Sequence, residues 1–332
     1  MVFLYNIALQ FYLLIIKLIQ PFNAKASLWL EGRLTVWNDL DIHLTANKKP
    51  VIWVHCSSLG EFEQGRPIIE ALNKHFPQYQ VLLSFFSPSG YEATKHFNKA
   101  DHIFYLPIDT AKNAERLIKK LKPVCVFFIK YDYWYHYLHQ AKKQAIPVVL
   151  VSGIFRKNQP FFQWYGGLHK KMLACFSNFY VQNNESKELL ASIGFNNNVW
   201  VTGDTRFDRV VEIAGNFEPI PPIEIVVKQK KVFVAGSTWL HDDALIAKFC
   251  KLHPQFVYII APHDVSNKRI QECLNIYPNA CLWTDIEKGG QATNVIIINT
   301  IGLLSKLYYY AHICYVGGGF GSDGVHNVAE AA

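Results

Sequence analysis

From residue 51 onward, short apolar runs alternate with longer stretches whose apolar residues recur at helical spacing, and this alternation constrains the fold most. The apolar runs are 51–56, 81–86, 103–106, 124–129, 147–151 and 178–181, with helix-like stretches at 61–75, 110–121, 134–145 and 184–192. Strands alternating with helices predict a doubly wound, mostly parallel sheet. The pattern breaks at GNFEPIPPIE, within 215–225, where three prolines fall in four residues and read as a linker. It then restarts: strand 232–235, helix 241–251, strand 256–261, helix 266–276, strand 295–298, helix 302–310 and strand 312–316. A length of 332 residues suits two domains, expected at 21–214 and 226–332. Two such domains are expected to face each other across a cleft, with ligands at the carboxyl ends of the strands. The chain stops at Glu330-Ala-Ala, just after an apparent helix start, so the second domain reads as incomplete.

Residues 1–20 are expected to form a separate membrane-anchoring helix, because 2–19 are almost all apolar. A secretory signal peptide fits poorly: no basic stretch precedes the apolar run, and Lys17 falls inside it. The run is just long enough to span a bilayer. At about 100° per residue, Asn6, Gln10, Lys17 and Gln20 share one side of a helical wheel, with Leu13 interrupting the stripe. A narrow polar stripe on an apolar helix predicts a monotopic anchor lying in the membrane interface, with a single span as the alternative.

Half the residues are hydrophobic and 18% are charged, which excludes wholesale disorder. The net charge of +7 favours anionic partners such as phosphates, nucleotides or anionic lipid. No nucleic-acid partner is expected, since the basic residues are spread out and no zinc-finger or RNP motif occurs. Seven cysteines at irregular spacing, without a CxxC pair, read as reduced thiols; Cys56 and Cys125 lie in apolar runs. No metal site and no cofactor are expected. Asp39-Leu-Asp41 has a short DxD pattern but precedes the first core strand and reads as surface loop, and His263-Asp264 lacks ligand spacing.

Four segments carry candidate chemistry. The first is Ser57-Ser-Leu-Gly-Glu61 after the strand at 51–56. Gly60 permits close backbone approach, and Glu61 has the chemistry of a general base on a hydroxyl. Ser58 and Glu61 also make the S-x-x-E pattern of a capping box, which by itself is the commoner reason for such a glutamate. The second is Gly236-Ser237-Thr238, a strand end offering hydroxyls and N–H groups to a phosphate, or else an ordinary helix cap. The third is Tyr315-Val-Gly317-Gly318-Gly319-Phe-Gly321, followed by His326, Asn327 and Glu330. It lacks the GK[ST] of a phosphate-binding P-loop, and its position in the second domain speaks against an opening dinucleotide unit. Asn327 and Glu330, three apart, share a helix face suited to clamping sugar hydroxyls, or make an ordinary polar first turn. The fourth is Ile129-Lys-Tyr-Asp-Tyr-Trp134, where Asp132 follows a buried strand that reaches either a site or plain solvent.

In order along the chain stand WVHCSSLGE at 53–61, LPID at 106–109, VTGDTRFD at 201–208, AGST at 235–238, IIAPH at 259–263, NTIGLLSKLYYYAHICYVGGGF at 299–320 and then HNVAEAA. Together they resemble the 3-deoxy-D-manno-octulosonic acid (Kdo) transferases of lipid A biosynthesis. The resemblance implies a GT-B glycosyltransferase of two Rossmann-like domains, the first for the acceptor lipid and the second for the CMP-sugar. It implies CMP-Kdo as donor, a lipid A precursor as acceptor and residence at the cytoplasmic face of the inner membrane. It makes Glu61 the base on the acceptor 6′-hydroxyl, a role compatible with capping, and retains Asp132 as a second catalytic carboxylate. Donor-binding positions carried over are Ser237, Thr238, Pro262, His263, Gly317, Gly318, Gly319, His326, Asn327 and Glu330. Acceptor-binding positions are Ser58, Gly60, Arg156 and Lys157; with Lys170 and Lys171 the two cations flank FFQWY at 161–165, expected to meet the membrane or to form a solvated basic face.

The family pattern is not followed everywhere. Lys130 and Asp132 stand where the family commonly has Glu-x-Glu, and Pro262-His263-Asp264 where it has Pro-Arg-His, leaving Lys268 or Arg269 as candidate replacements for the lost arginine. Gly321-Ser-Asp-Gly324 also departs from it. Two alternatives follow from these departures: another GT-B sugar-nucleotide enzyme, or a membrane-anchored binding protein without catalysis.

Overall fold

The computed structural model describes residues 1–215, 217–320 and 328–331. Contacts divide it into Met1–Thr205 and Arg206–Ala332. The first unit runs α1 (Val2–Ile19), α2 (Ala24–Glu31), α3 (Val36–Ala46), β1 (Val51–Cys56), α4 (Leu59–His75), β2 (Gln80–Phe85), α5 (Pro88–Thr94), β3 (His102–Tyr105), α6 (Ala111–Leu121), β4 (Cys125–Ile129), α7 (Tyr135–Lys143), β5 (Val148–Gly153), α8 (Gly167–Leu173), β6 (Asn178–Val181), α9 (Asn184–Ser192) and β7 (Val199–Val201). Its seven strands are ordered β3-β2-β1-β4-β5-β6-β7. All pairings in it are parallel.

β1 and β2 are buried along their whole length, as parallel strands covered by helices on both faces must be. Side-chain alternation then splits the core. Trp53 packs on one face with Leu117 and Leu138 of α6 and α7. Val54 packs on the other with Phe62 and Ile69 of α4. The chain runs outward from β1 to β3, then returns to lay β4 on the far side of β1. The switch point of the sheet is therefore the gap between the carboxyl ends of β1 and β4, where ligands of such sheets bind.

Two expectations for the N-terminal region change. Asp39 and Asp41 lie in α3, not in a surface loop, and Asp41 pairs with Lys120 of α6. Two residues apart on a helix, their side chains diverge, unlike neighbours three or four apart. In α1 the docked face is Val2, Tyr5, Leu9, Leu13 and Ile16, at helical spacing, with Leu9 and Ile16 buried. Asn6, placed above on a polar stripe, accepts a 2.7 Å hydrogen bond at Oδ1 from His136 Nε2. Tyr5 donates to Asp109 Oδ2 at 2.6 Å. The rest of the helix, including Phe3, Phe11, Leu14 and Leu18, stays exposed.

His102 of β3 stacks on His43 of α3 with ring centroids 4.8 Å apart, and its Nε2 is buried without a hydrogen bond among the described residues. Burial, and then the neighbouring His43, push its pKa from 6.5 down to about 4, against a smaller opposing pull from Asp39. The folded state therefore holds His102 neutral where the unfolded chain would protonate it. Its contribution to stability is complete above pH 6.5 and is lost as the pH falls through about 4. The urea midpoint of the full chain is expected to drop between pH 7 and pH 5, and the drop to be smaller in His102→Gln. An identical pH slope in the variant would show that another group dominates.

The second unit runs α10 (Arg206–Gly215), α11 (Pro221–Val227), β8 (Lys231–Thr238), α12 (Leu240–Leu252), β9 (Phe256–Pro262), α13 (Asn267–Ile276), β10 (Cys281–Leu282), α14 (Trp283–Glu287), β11 (Val295–Ile297), α15 (Leu304–Leu307) and β12 (Ile313–Val316). The strands form a parallel sheet in the order β10-β11-β9-β8-β12. Its switch point lies between β8 and β12. Part of the proline segment read as linker opens α11, since Pro221 at the first position already has the helical φ. The helix expected over 302–310 is shorter: Gly302 at φ +95° delays it, and α15 passes into a 3₁₀ turn at Tyr308–Tyr310. β10 and α14 had no counterpart among the expected elements.

Candidate active site

In the first unit, β1 ends at Cys56 and α4 begins at Leu59, so Ser57–Glu61 lies at the carboxyl edge. Ser58 and Glu61 form a complete capping box. Glu61 Oε2 accepts from the Ser58 backbone N–H at 3.1 Å and from the Ser58 hydroxyl. Glu61 Oε1 makes no hydrogen bond among the described residues, so one carboxylate oxygen remains for a ligand. A side-chain carbon at Gly60 would meet only Ser58 Oγ, at 3.8 Å, so the approach to the loop is open.

Across the switch point, Lys130 adopts φ +65° and turns the chain as β4 ends. Asp132 follows, with its Oδ2 2.7 Å from His55 Nε2 of β1. Trp134 Nε1 lies 3.1 Å from the same histidine nitrogen. The buried Cys56 thiol is pushed well above its usual range, first by burial and then by the charges of Glu61 and Asp132. Both carboxylates thus bear on one spot at the end of β1. Asp132 also lines a cavity of about 560 Å³ with Trp134, Tyr165 and His169, walled on one side by Leu4 and Tyr5 of α1.

Motif residues outside the edge have structural work. Asp109 of the LPID segment is buried and accepts Tyr5, the His136 N–H at 3.0 Å and the Tyr137 N–H at 3.0 Å. It fixes α1 and the start of α7 to the sheet. Arg156, Lys157, Lys170 and Lys171 are exposed as expected, but the aromatic run between them divides. Phe161 is buried in the core, whereas Trp164 is 95% exposed. Only the second half of FFQWY faces outward, a division its composition does not reveal.

In the second unit, Ser237 and Thr238 end β8, with Ser237 in the left-handed region at φ +54°. Thr238 Oγ1 is buried and has no hydrogen-bond partner among the described residues. Pro262 ends β9, and the His263 ring stacks on Trp239 at 4.8 Å. Facing Ser237 across the switch point, Gly317 cannot carry a side chain: a Cβ there would sit 2.4 Å from Ser237 O and 2.9 Å from Asp242 Oδ2. The N–H groups expected to serve a phosphate are partly engaged. Gly317 N–H donates to Gly236 O at 2.9 Å, and Gly318 N–H to Asp242 Oδ2 at 3.2 Å. His326 and Asn327 lie outside the described residues, as does the side chain of Glu330.

In the second unit, Asp242 is a residue that sequence reasoning missed. It is buried, accepts the Trp239 N–H at 2.8 Å and the Tyr315 hydroxyl at 2.6 Å, and joins the β8 and β12 loops. Its only sequence mark is an acidic residue in the first turn of a helix. Arg269, a candidate replacement for the family's arginine, is committed elsewhere. It is buried and paired with Asp243 of α12. Burial pulls its pKa down, but the hydrogen bond and charge of Asp243 outweigh this and hold it above the usual value.

The family model for 3-deoxy-D-manno-octulosonic-acid transferase (kdotransferase) matches residues 30–209. A bifunctional glycosyltransferase/methyltransferase of Fusobacterium nucleatum is 27% identical over 84% of this chain, which spans 45% of that protein. The 3-deoxy-D-manno-octulosonic acid transferase of Haemophilus influenzae is 24% identical over 84% of this chain and 67% of its own. Among solved structures, the UDP-GlcNAc 2-epimerase of Neisseria meningitidis bound to UDP-GlcNAc superposes with a TM-score of 0.56 at 18% identity, covering 80% of this chain and 76% of that one. This last likeness concerns the fold, which is of the GT-B type.

Proposed function

Because the chain belongs to the Kdo transferase family, we propose that it transfers Kdo from CMP-Kdo to the 6′-hydroxyl of a lipid A precursor, at the cytoplasmic face of the inner membrane. The observation that carries this reading is the position of Glu61, inside the matched segment and at the β1/β4 switch point, with Oε1 uncommitted. Glu61 takes the proton of the acceptor hydroxyl as the oxygen bonds to the anomeric carbon of Kdo. The bond from that carbon to the CMP phosphate oxygen breaks with inversion, and CMP departs with the electron pair. Such a base contributes roughly 10²–10⁴-fold.

In this reading Ser237 and Thr238 receive the leaving phosphate through their hydroxyls. The unpartnered Thr238 Oγ1 supports that role. Gly317 and Gly318 serve by keeping the turn low rather than by donating, and Gly319, Pro262 and His263 complete the donor side. His326, Asn327 and Glu330 enter through the family resemblance alone. On the acceptor side, Ser58 and Gly60 shape the approach to Glu61, while Arg156 and Lys157 attract the phosphates of the lipid. α1 with the following turn is long and apolar enough to cross a membrane, with 11% of its most apolar window buried. Its docking along the first unit supports a helix lying in the interface.

The test is transfer by membranes carrying the chain, with CMP-Kdo generated in situ, a tetraacylated precursor as acceptor and product read by mass, in EDTA. Expected is a mass increase of one or more Kdo residues, inhibited by CMP and not by UDP. Inhibition by UDP alone would favour a different sugar nucleotide.

A further inference from the structure

Behind Asp132 lies a polar chain that the proposed reaction does not use. Trp53 and His55 sit on the same face of β1, and Ser84 pairs with His55 in register on β2. Trp53 Nε1 is 2.8 Å from Ser84 Oγ, Ser84 Oγ is 2.8 Å from His55 Nδ1, and His55 Nε2 is 2.7 Å from Asp132 Oδ2. His55 and Ser84 are fully buried, and apart from these polar partners the imidazole is flanked by the rings of Trp53 and Phe128. A buried polar group of this kind is retained at a desolvation penalty unless every donor and acceptor is matched.

The donors fix the direction of the chain. An indole nitrogen only donates, so Trp53 occupies one lone pair of Ser84. Ser84 has no other acceptor among the described residues, so its hydroxyl proton goes to His55 Nδ1. That nitrogen is then unprotonated, and the ring proton sits on Nε2, pointing at the Asp132 carboxylate. The opposite tautomer would set a bare nitrogen 2.7 Å from a carboxylate oxygen, two acceptors with no proton between them. Trp134 Nε1–H is also directed at Nε2, at 3.1 Å, a bond that only an unprotonated Nε2 accepts; the shorter 2.7 Å contact with a charged acceptor decides the place of the proton in favour of Asp132.

We propose that His55 is a positioning residue: held as the Nε2–H tautomer by Trp53 and Ser84, it anchors Asp132 through Oδ2 and leaves Oδ1 for the acceptor. Asp132 Oδ1 makes no hydrogen bond among the described residues, and the residue lines the aromatic cavity beneath α1. The arm of this aspartate is short and follows a turn, so without an anchor its carboxylate would sample several rotamers. The histidine lies in β1, a central strand, and therefore ties the carboxylate to the most rigid part of the unit. The proposal rests on the transfer reaction for its catalytic consequence, but its geometry is testable without it.

Two amides separate the ends of the imidazole. His55→Gln places its amide donor near the Nε2 position and keeps an anchor for Asp132. His55→Asn reaches only the Nδ1 position, keeping the Ser84 contact and losing Asp132. With both variants folded by circular dichroism, His55→Asn is expected to lower kcat about tenfold to a hundredfold, the scale of a misplaced catalytic group, and His55→Gln by less than about fivefold. In an Asp132→Ala background, His55→Asn is expected to add less than about twofold. Equal losses in both amides, or a full loss persisting without Asp132, would overturn the proposal. Independently, ¹⁵N-histidine spectra of the full chain in detergent, assigned by difference from His55→Asn, are expected to show one neutral imidazole protonated at Nε2. A proton on Nδ1 would overturn the proposal even if transfer is observed. Absence of transfer in the wild type would defeat the functional reading while leaving this tautomer to decide the geometry.

Discussion

Glu61→Gln leaves the chain folded and nearly as stable as the wild type, yet lowers Kdo transfer by roughly 10²–10⁴-fold. The substitution separates two roles that one carboxylate fills. In the capping box, Oε2 accepts from the backbone N–H and hydroxyl of Ser58. A glutamine oxygen accepts the same bonds, which is why such boxes use either residue. It has no basicity for a hydroxyl proton. Ser58→Ala makes the reverse cut: it removes a cap contact, at about 1 kcal/mol, and leaves the carboxylate. Transfer rates and thermal midpoints of the two variants should therefore diverge in opposite senses. If Glu61→Gln works at close to the wild-type rate, Glu61 is a cap and the base lies elsewhere.

Asp243→Ala is expected to destabilise the second unit by about 3–5 kcal/mol, the consequence of leaving a buried charge alone. Asp243 is fully buried, and Arg269, at 5% exposure, has no other carboxylate closer than Glu272 at 3.8 Å. Tyr277 adds a hydrogen bond to Asp243 Oδ1 at 3.3 Å. Replacing both charges, as Asp243→Leu with Arg269→Met, should recover most of the loss, since the removal of a buried pair is far milder than its division. Urea unfolding of the three variants, followed at the tryptophans, measures this. A single variant within about 1 kcal/mol of the wild type, the range of an exposed ion pair, would mean that water reaches the pair. Through this pair the Arg269 guanidinium holds α13 to α12.

The α/β alternation was readable because buried parallel strands are continuous apolar runs, and the expected run at 51–56 is β1 to the residue. Short elements were not. β7 has three residues and β10 two, too few to show any period. Of the helices ahead of β1, α2 and α3 were hidden by weak amphipathicity, and Asp39 and Asp41 drew attention to a loop that is α3. In the site, Glu61 and Asp132 were visible because they stand just outside apolar runs. His55 and Ser84 were not, because each lies inside one and passes for core; only the pairing of β1 with β2 brings them together. The trace they leave is a single polar residue inside each of the two apolar runs 51–56 and 81–86, meaningful once the register is known. Asp242 left less still, since beyond the local Trp239 N–H its partners are a hydroxyl and a backbone N–H from a distant segment.

At each switch point one carboxylate reaches across, Asp132 from the segment after β4 and Asp242 from the first turn of α12. Asp132 ties the segment after β4 to β1, and Asp242 ties the loop after β8 to β12. Connections at these edges are usually the segments that must be ordered when a ligand arrives. The segment after β4 and the one between β8 and α12 are ordered on folding, so in the proposed transfer binding energy is not diluted by arranging them. For the proposed transfer the corresponding penalty is versatility: segments fixed by folding have less freedom to reshape around a second donor.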